Sequence, residues 1–80
     1  MNNVTFNVAW LLRQLSAKNN KSYDKVTVAA LSGISRTTIT LITNNENKRA
    51  DFETLGKLLD FFQSEGMPIT IADLFTVTVD

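Results

Sequence analysis

The side chains with the most hydrogen-bonding capacity cluster between Lys25 and Arg49. Lys25, Arg36, Lys48 and Arg49 are cations, Thr37, Thr38 and Thr40 carry hydroxyls, and Asn44 and Asn45 carry amides. Groups of this kind donate to oxygen acceptors and to polyanions, whereas covalent catalysis needs an activated nucleophile. Ser16, Ser22 and Ser64 have no His beside them, because the chain contains no His and no Cys. That excludes Cys/His catalysis, zinc-finger chemistry and imidazole proton relays. The expectation is a binding protein with no catalytic residue, no metal and no cofactor.

Charge supports a polyanionic partner. Residues 1–50 hold seven Lys and Arg against Asp24 and Glu46, a balance of +5. Residues 51–80 hold Lys57 against six carboxylates, a balance of −5, so the whole chain sums to zero. Separation of this kind speaks about partners rather than fold. With 80 residues, 44% of them apolar and 20% charged, the chain reads as one globular domain over 1–80. No apolar run approaches the roughly 20 residues of a membrane span. Met1-Asn2-Asn3-Val4 lacks the basic flank and apolar core of a signal sequence, so a cytoplasmic protein is expected.

The elements that must position these groups are short and punctuated. Asn7 is placed to cap a first helix in which Val8, Leu11, Leu12 and Leu15 form one stripe. The polar stretch Lys18-Asn19-Asn20-Lys21-Ser22 ends it. Asp24 caps a second helix with Val28, Ala29 and Leu31 inward, and Gly33 supplies the left-handed residue that closes it. Ser35 caps a third helix over Arg36 to about Asn44, with Ile34 and Ile39 as a hydrophobic staple. The local signal there is divided, because Thr37, Thr38, Ile39, Thr40, Ile42 and Thr43 are β-branched and Thr38-Ile39-Thr40-Leu41 alternates like a strand.

Asp51 caps a fourth helix with Phe52, Leu55, Leu58, Leu59 and Phe62 on one face. It ends near Gly66, before Pro68. Of the neighbouring rings Phe61 and Phe62, one is expected to be buried and one at an edge. Thr70 and Asp73 open a short fifth helix as a capping-box variant. Val4-Thr5-Phe6 and Thr76-Val77-Thr78-Val79 read as strands, which pair either with one another or across a dimer.

Lys25 to Asn44, KVTVAALSGISRTTITLITN, resembles the helix-turn-helix of the phage-repressor and Cro-like family of DNA-binding regulators. Ala29, Gly33, Ile34, Ile39 and Ile42 carry the resemblance, and Arg13, the 52–62 helix and Ala72-Asp73-Leu74-Phe75 extend it. It implies an all-α, five-helix repressor-like domain with a central helix-turn-helix. Where the family often has Glu and then Gly after the recognition helix, this chain has Thr43-Asn44-Asn45-Glu46. Asn45 can supply a left-handed turn there.

What the resemblance implies for function is residue-specific. The N-terminal part of a recognition helix meets base edges in the major groove. That puts Arg36, Thr37, Thr40 and Leu41 at the bases, with Arg36 suited to the O6 and N7 of guanine. Lys25, Thr38, Asn44, Asn45, Lys48 and Arg49 are the phosphate-contacting candidates. A guanidinium and an ammonium repel, so Lys25 is expected to hold phosphate rather than brace Arg36. Arg13 is expected to pair with Glu53 or Asp60, and Trp10 to pack in the core or an interface.

The partner implied is double-stranded DNA, bound as a homodimer on a palindromic operator for repression. Leu74, Phe75, Val77 and Val79, within a dimerisation segment at 70–80, are the interface candidates. The alternative is a protein-interaction module, an antitoxin or antirepressor, on the same scaffold.

Overall fold

The computed structural model describes residues 1–46 and 51–79. In order they form β1 (Asn2–Phe6), α1 (Val8–Asn19), α2 (Lys25–Ser32), α3 (Arg36–Thr43), α4 (Phe52–Ser64), a 3-10 turn (Ile71–Leu74) and β2 (Phe75–Val79). The fold is mostly helical, with four α-helices and one two-stranded antiparallel sheet among the described residues.

The expected fifth helix is only the 3-10 turn. Pro68 stands before it and the β-branched run of β2 follows at once, leaving four residues, too few to nucleate an α-helix. The Thr70 amide and hydroxyl both donate to the Asp73 carboxylate, at 2.9 and 3.2 Å.

Three acidic or hydroxyl caps behave as their spacing predicts. Asp24 accepts from the Thr27 amide at 2.8 Å, Ser35 from Thr38 at 3.2 Å, and Asp51 from Thr54 at 2.7 Å. Each satisfies an amide at a helix start that has no partner within the helix. Asn7 does not cap. Its side chain donates instead to the Asp73 carbonyl, and its amide to the Leu74 carbonyl, tying α1 to the 3-10 turn.

Among the described residues thirteen apolar side chains make one core, drawn from β1, the four helices, the corner residue Ile34 and the 3-10 turn, with Phe75 of β2 packed against it. Val8, Leu11 and Leu15 enter from α1, Val28 from α2, Ile39 and Ile42 from α3, and Leu55, Leu58, Phe61 and Phe62 from α4. Phe61 and Phe62 are both buried, correcting the expectation of one edge ring. They meet edge to face at 5.1 Å, and Tyr23 covers Phe61 from the loop before α2. Two expected core residues lie outside. Leu31 is 50% exposed because α2 turns only a narrow strip towards α3 and α4. Phe52 is 91% exposed in the first turn of α4, where no described element covers it.

β1 and β2 pair within the chain, Asn2 opposite Val79, Val4 opposite Val77 and Phe6 opposite Phe75. Alternation puts Val4, Phe6, Phe75, Val77 and Val79 on one face and Asn3, Thr5, Thr76 and Thr78 on the other. Only the Phe6–Phe75 end of that face, with the rings 5.1 Å apart, reaches the core. Leu74, expected at a dimer interface, is fully buried just before the strand and belongs to the core.

Candidate nucleic-acid interface

The chain bends by 119° between α2 and α3. Gly33, at φ +76°, makes the corner possible, and its amide closes α2 on the Ala29 carbonyl at 3.0 Å. Lys57 of α4 reaches the Gly33 carbonyl at 3.3 Å. Ile34 and Ile39 are buried on either side of the Ser35 cap, fixing the angle at which α3 leaves the corner.

The β-branched α3 is a helix because its inward residues are fully used. Ile39 and Ile42 pack into the core, and Thr43 turns its hydroxyl back onto the Ile39 carbonyl at 2.9 Å. A helix advances 100° per residue, so Arg36, Thr37, Thr40, Leu41 and Asn44 lie on the side away from Ile39 and Ile42. Arg36, Thr37 and Asn44 are exposed, and Thr40 and Leu41 half-exposed. Thr38 is half-buried, with its hydroxyl held by Ser35 at 2.9 Å. It lies off the line shared by the other outward residues.

After α3 the chain turns sharply. Asn45 adopts φ +57°, the left-handed conformation expected of it, and Glu46 donates its amide to the Leu41 carbonyl at 2.8 Å. Lys48 and Arg49 lie outside the described residues. Lys25 stands exposed as the first residue of α2, next to Asp24, whose carboxylate already takes the Thr27 amide at that helix end.

A network behind α2 holds that end in place. The Tyr23 hydroxyl donates to Glu65 at 2.6 Å, and Asn19 donates to both the Tyr23 oxygen and the Glu65 carbonyl at 2.9 Å. The bond to Glu65 raises the Tyr23 pKa, since ionisation would set two anions together. Asp24 and Asp51 are held below the usual carboxylate range by the bonds they accept from Thr27 and Thr54 respectively.

The carboxylates and cations are used differently. Asp24, Asp51 and Asp73 accept cap bonds, Glu65 serves Tyr23 and lies 3.8 Å from Lys21, and Glu53 pairs with Lys57 at 3.3 Å. Among the described residues Arg13, Lys18, Lys25 and Arg36 have no carboxylate partner. For Arg13 this overturns the expected pairing with Glu53 or Asp60, because Glu53 is taken by Lys57. Arg13 instead borders a groove with Lys25, which a sequence-based pairing argument could not reveal. Trp10 is 48% exposed on α1 and no part of the core.

Two helices crossing at this angle around a glycine corner, the second presenting free donors, form a helix-turn-helix. Residues 12–80 match the Cro/C1-type HTH DNA-binding domain, and the chain belongs to that family. It is therefore a DNA-binding regulator whose partner is double-stranded DNA. No curated protein and no solved structure matches the chain. No single helix among the described residues is long and apolar enough to cross a membrane.

Proposed function

We propose that the protein is a sequence-specific transcriptional repressor that reads a palindromic operator as a homodimer. The observation that carries this is the uncommitted cation and hydroxyl row on α3 and at the start of α2, where most carboxylates among the described residues are engaged elsewhere. Arg36 donates to guanine O6 and N7. Thr37 and Thr40 bond base edges, and Leu41 meets a thymine methyl. Lys25, Asn44 and Asn45 hold phosphates, with Lys48 and Arg49 continuing the contact and Thr38, half-buried and off the outward line of α3, contributing least.

Repression by occupancy is the simplest regulation for such a module, since it needs binding alone. No enzymatic activity is assigned. One module makes few contacts, so two half-sites about 34 Å apart supply affinity. Val4, Val77 and Val79 are 63%, 60% and 77% exposed on an uncharged sheet, with Phe75 beside them. This favours an apolar self-contact there. The same exposed valines favour the second reading, an antitoxin or antirepressor that binds another polypeptide.

Binding to a mixed-sequence duplex, followed by fluorescence anisotropy across salt, separates the two. The repressor reading expects log affinity to fall linearly with log salt, with a slope about one unit shallower in Lys25→Gln. Light scattering of the same sample should give a dimer. Duplex affinity that is absent at every salt would favour the protein partner.

A further inference from the structure

A groove of about 680 Å³ opens between α1, the start of α2 and α3. That lies within the range of roughly 300–1,000 Å³ typical of small-molecule sites. Its apolar wall comes from Ala9 and Leu12 of α1, Val26 and Val28 of α2, and Ile39 of α3. Most polar groups along it are already occupied. The Tyr23 hydroxyl donates to Glu65, the Asp24 carboxylate accepts from Thr27, and the Thr43 hydroxyl donates to the Ile39 carbonyl. What stays open is the Ser22 hydroxyl and two cations, Arg13 and Lys25, which have no carboxylate partners among the described residues; Asp24, bonded to Thr27, remains an anion beside Lys25. An apolar wall under two such cations suits an apolar body with an anionic head.

We propose that this groove binds a small aryl carboxylate, its ring against Leu12, Val26 and Val28 and its head at the Arg13–Lys25 rim. Val26 is 55% exposed, so the ring finds an apolar surface that the fold itself leaves open. The site has a regulatory consequence that rests on the DNA reading above. A carboxylate held by Lys25 competes with a DNA phosphate for the same ammonium, so bound ligand weakens DNA binding. Occupancy of the groove does not depend on that reading.

The test titrates isotope-labelled protein with 2-naphthoate and follows backbone amide shifts. Saturable shifts should concentrate at Leu12, Arg13, Val26 and Thr43. Neutral 2-naphthylmethanol should bind about tenfold more weakly or worse, and Arg13→Gln should remove most of that preference. Val26→Glu should abolish naphthoate binding while keeping the fold, because a carboxylate at the second residue of α2 suits the helix dipole.

Shifts centred on Val77 and Val79, equal binding of acid and alcohol, or unchanged affinity in Val26→Glu would each overturn the site. So would the absence of saturable shifts up to the solubility of the acid. Anisotropy with a mixed-sequence duplex completes the test. Naphthoate should weaken DNA binding in the wild type and less in Arg13→Gln. Undiminished DNA binding at saturating naphthoate would remove the regulatory consequence alone. Naphthoate binding without any duplex affinity would contradict the DNA reading and leave the groove standing.

Discussion

The α2–α3 corner and the terminal sheet are both built from short segments, and they dispose of their apolar side chains in opposite ways. In the corner, Val28, Ile34, Ile39 and Ile42 point inward and are buried, while Lys25, Arg36 and Thr37 remain outside. In the sheet, only Phe6 is buried and Phe75 partly so; Val4, Val77 and Val79 remain outside and no charged residue is present. An isolated two-stranded sheet is marginal in water, so this one depends on its aromatic anchor. The lesson is that a surface is defined by what the core did not take. The corner leaves donors for a polyanion, and the sheet leaves apolar area for another protein surface.

The largest effect that would break this contrast is on stability. Ile39→Ala should cost about 2–5 kcal/mol in denaturant unfolding, whereas Val77→Ala should cost less than about 1 kcal/mol. Equal losses would mean that the sheet is as deeply packed as the corner. Ser35→Ala, which strips the α3 cap, should cost about 1 kcal/mol by the same measurement. It should also weaken DNA binding by loosening the first turn that carries Arg36.

The smallest effect is pH-dependent. The carboxyls of Asp24 and Asp51 are held down in the folded chain, so their stabilisation is fully present above the unfolded value of about 3.9. It is lost as pH falls through the lower folded values. Thermal unfolding of the Asp24→Asn, Asp51→Asn double variant should therefore vary less between neutral pH and the acid range than that of the wild type.

Much of the corner was legible in the residues themselves. Caps at Asp24, Ser35 and Asp51 act on an amide three residues ahead, and Gly33 acts on its own backbone, so these signals are local. Burial was less legible, because periodicity shows which side of a helix is apolar but not whether another element covers it. Leu31 and Phe52 share the spacing of core residues and stay exposed, while Phe61 is buried because Tyr23 reaches it from the loop before α2. Strand pairing is also non-local: Asn2 and Val79 are neighbours only through the fold. At the candidate interface, the outward row on α3 followed from the inward Ile39 and Ile42. The place of Arg13 did not, since an ion pair depends on where a distant carboxylate finally lies.

Reading of DNA by α3 through Arg36 is the proposal on which the regulatory role rests. The most direct test is selection of bound duplexes from a random pool, with wild type and Arg36→Ala side by side at two salt concentrations. The expected result is an enriched palindrome whose guanine preference at one position in each half-site relaxes by about 1–3 kcal/mol in Arg36→Ala, with folding unchanged. An identical enriched sequence in both proteins, or no enriched sequence in either, would contradict it.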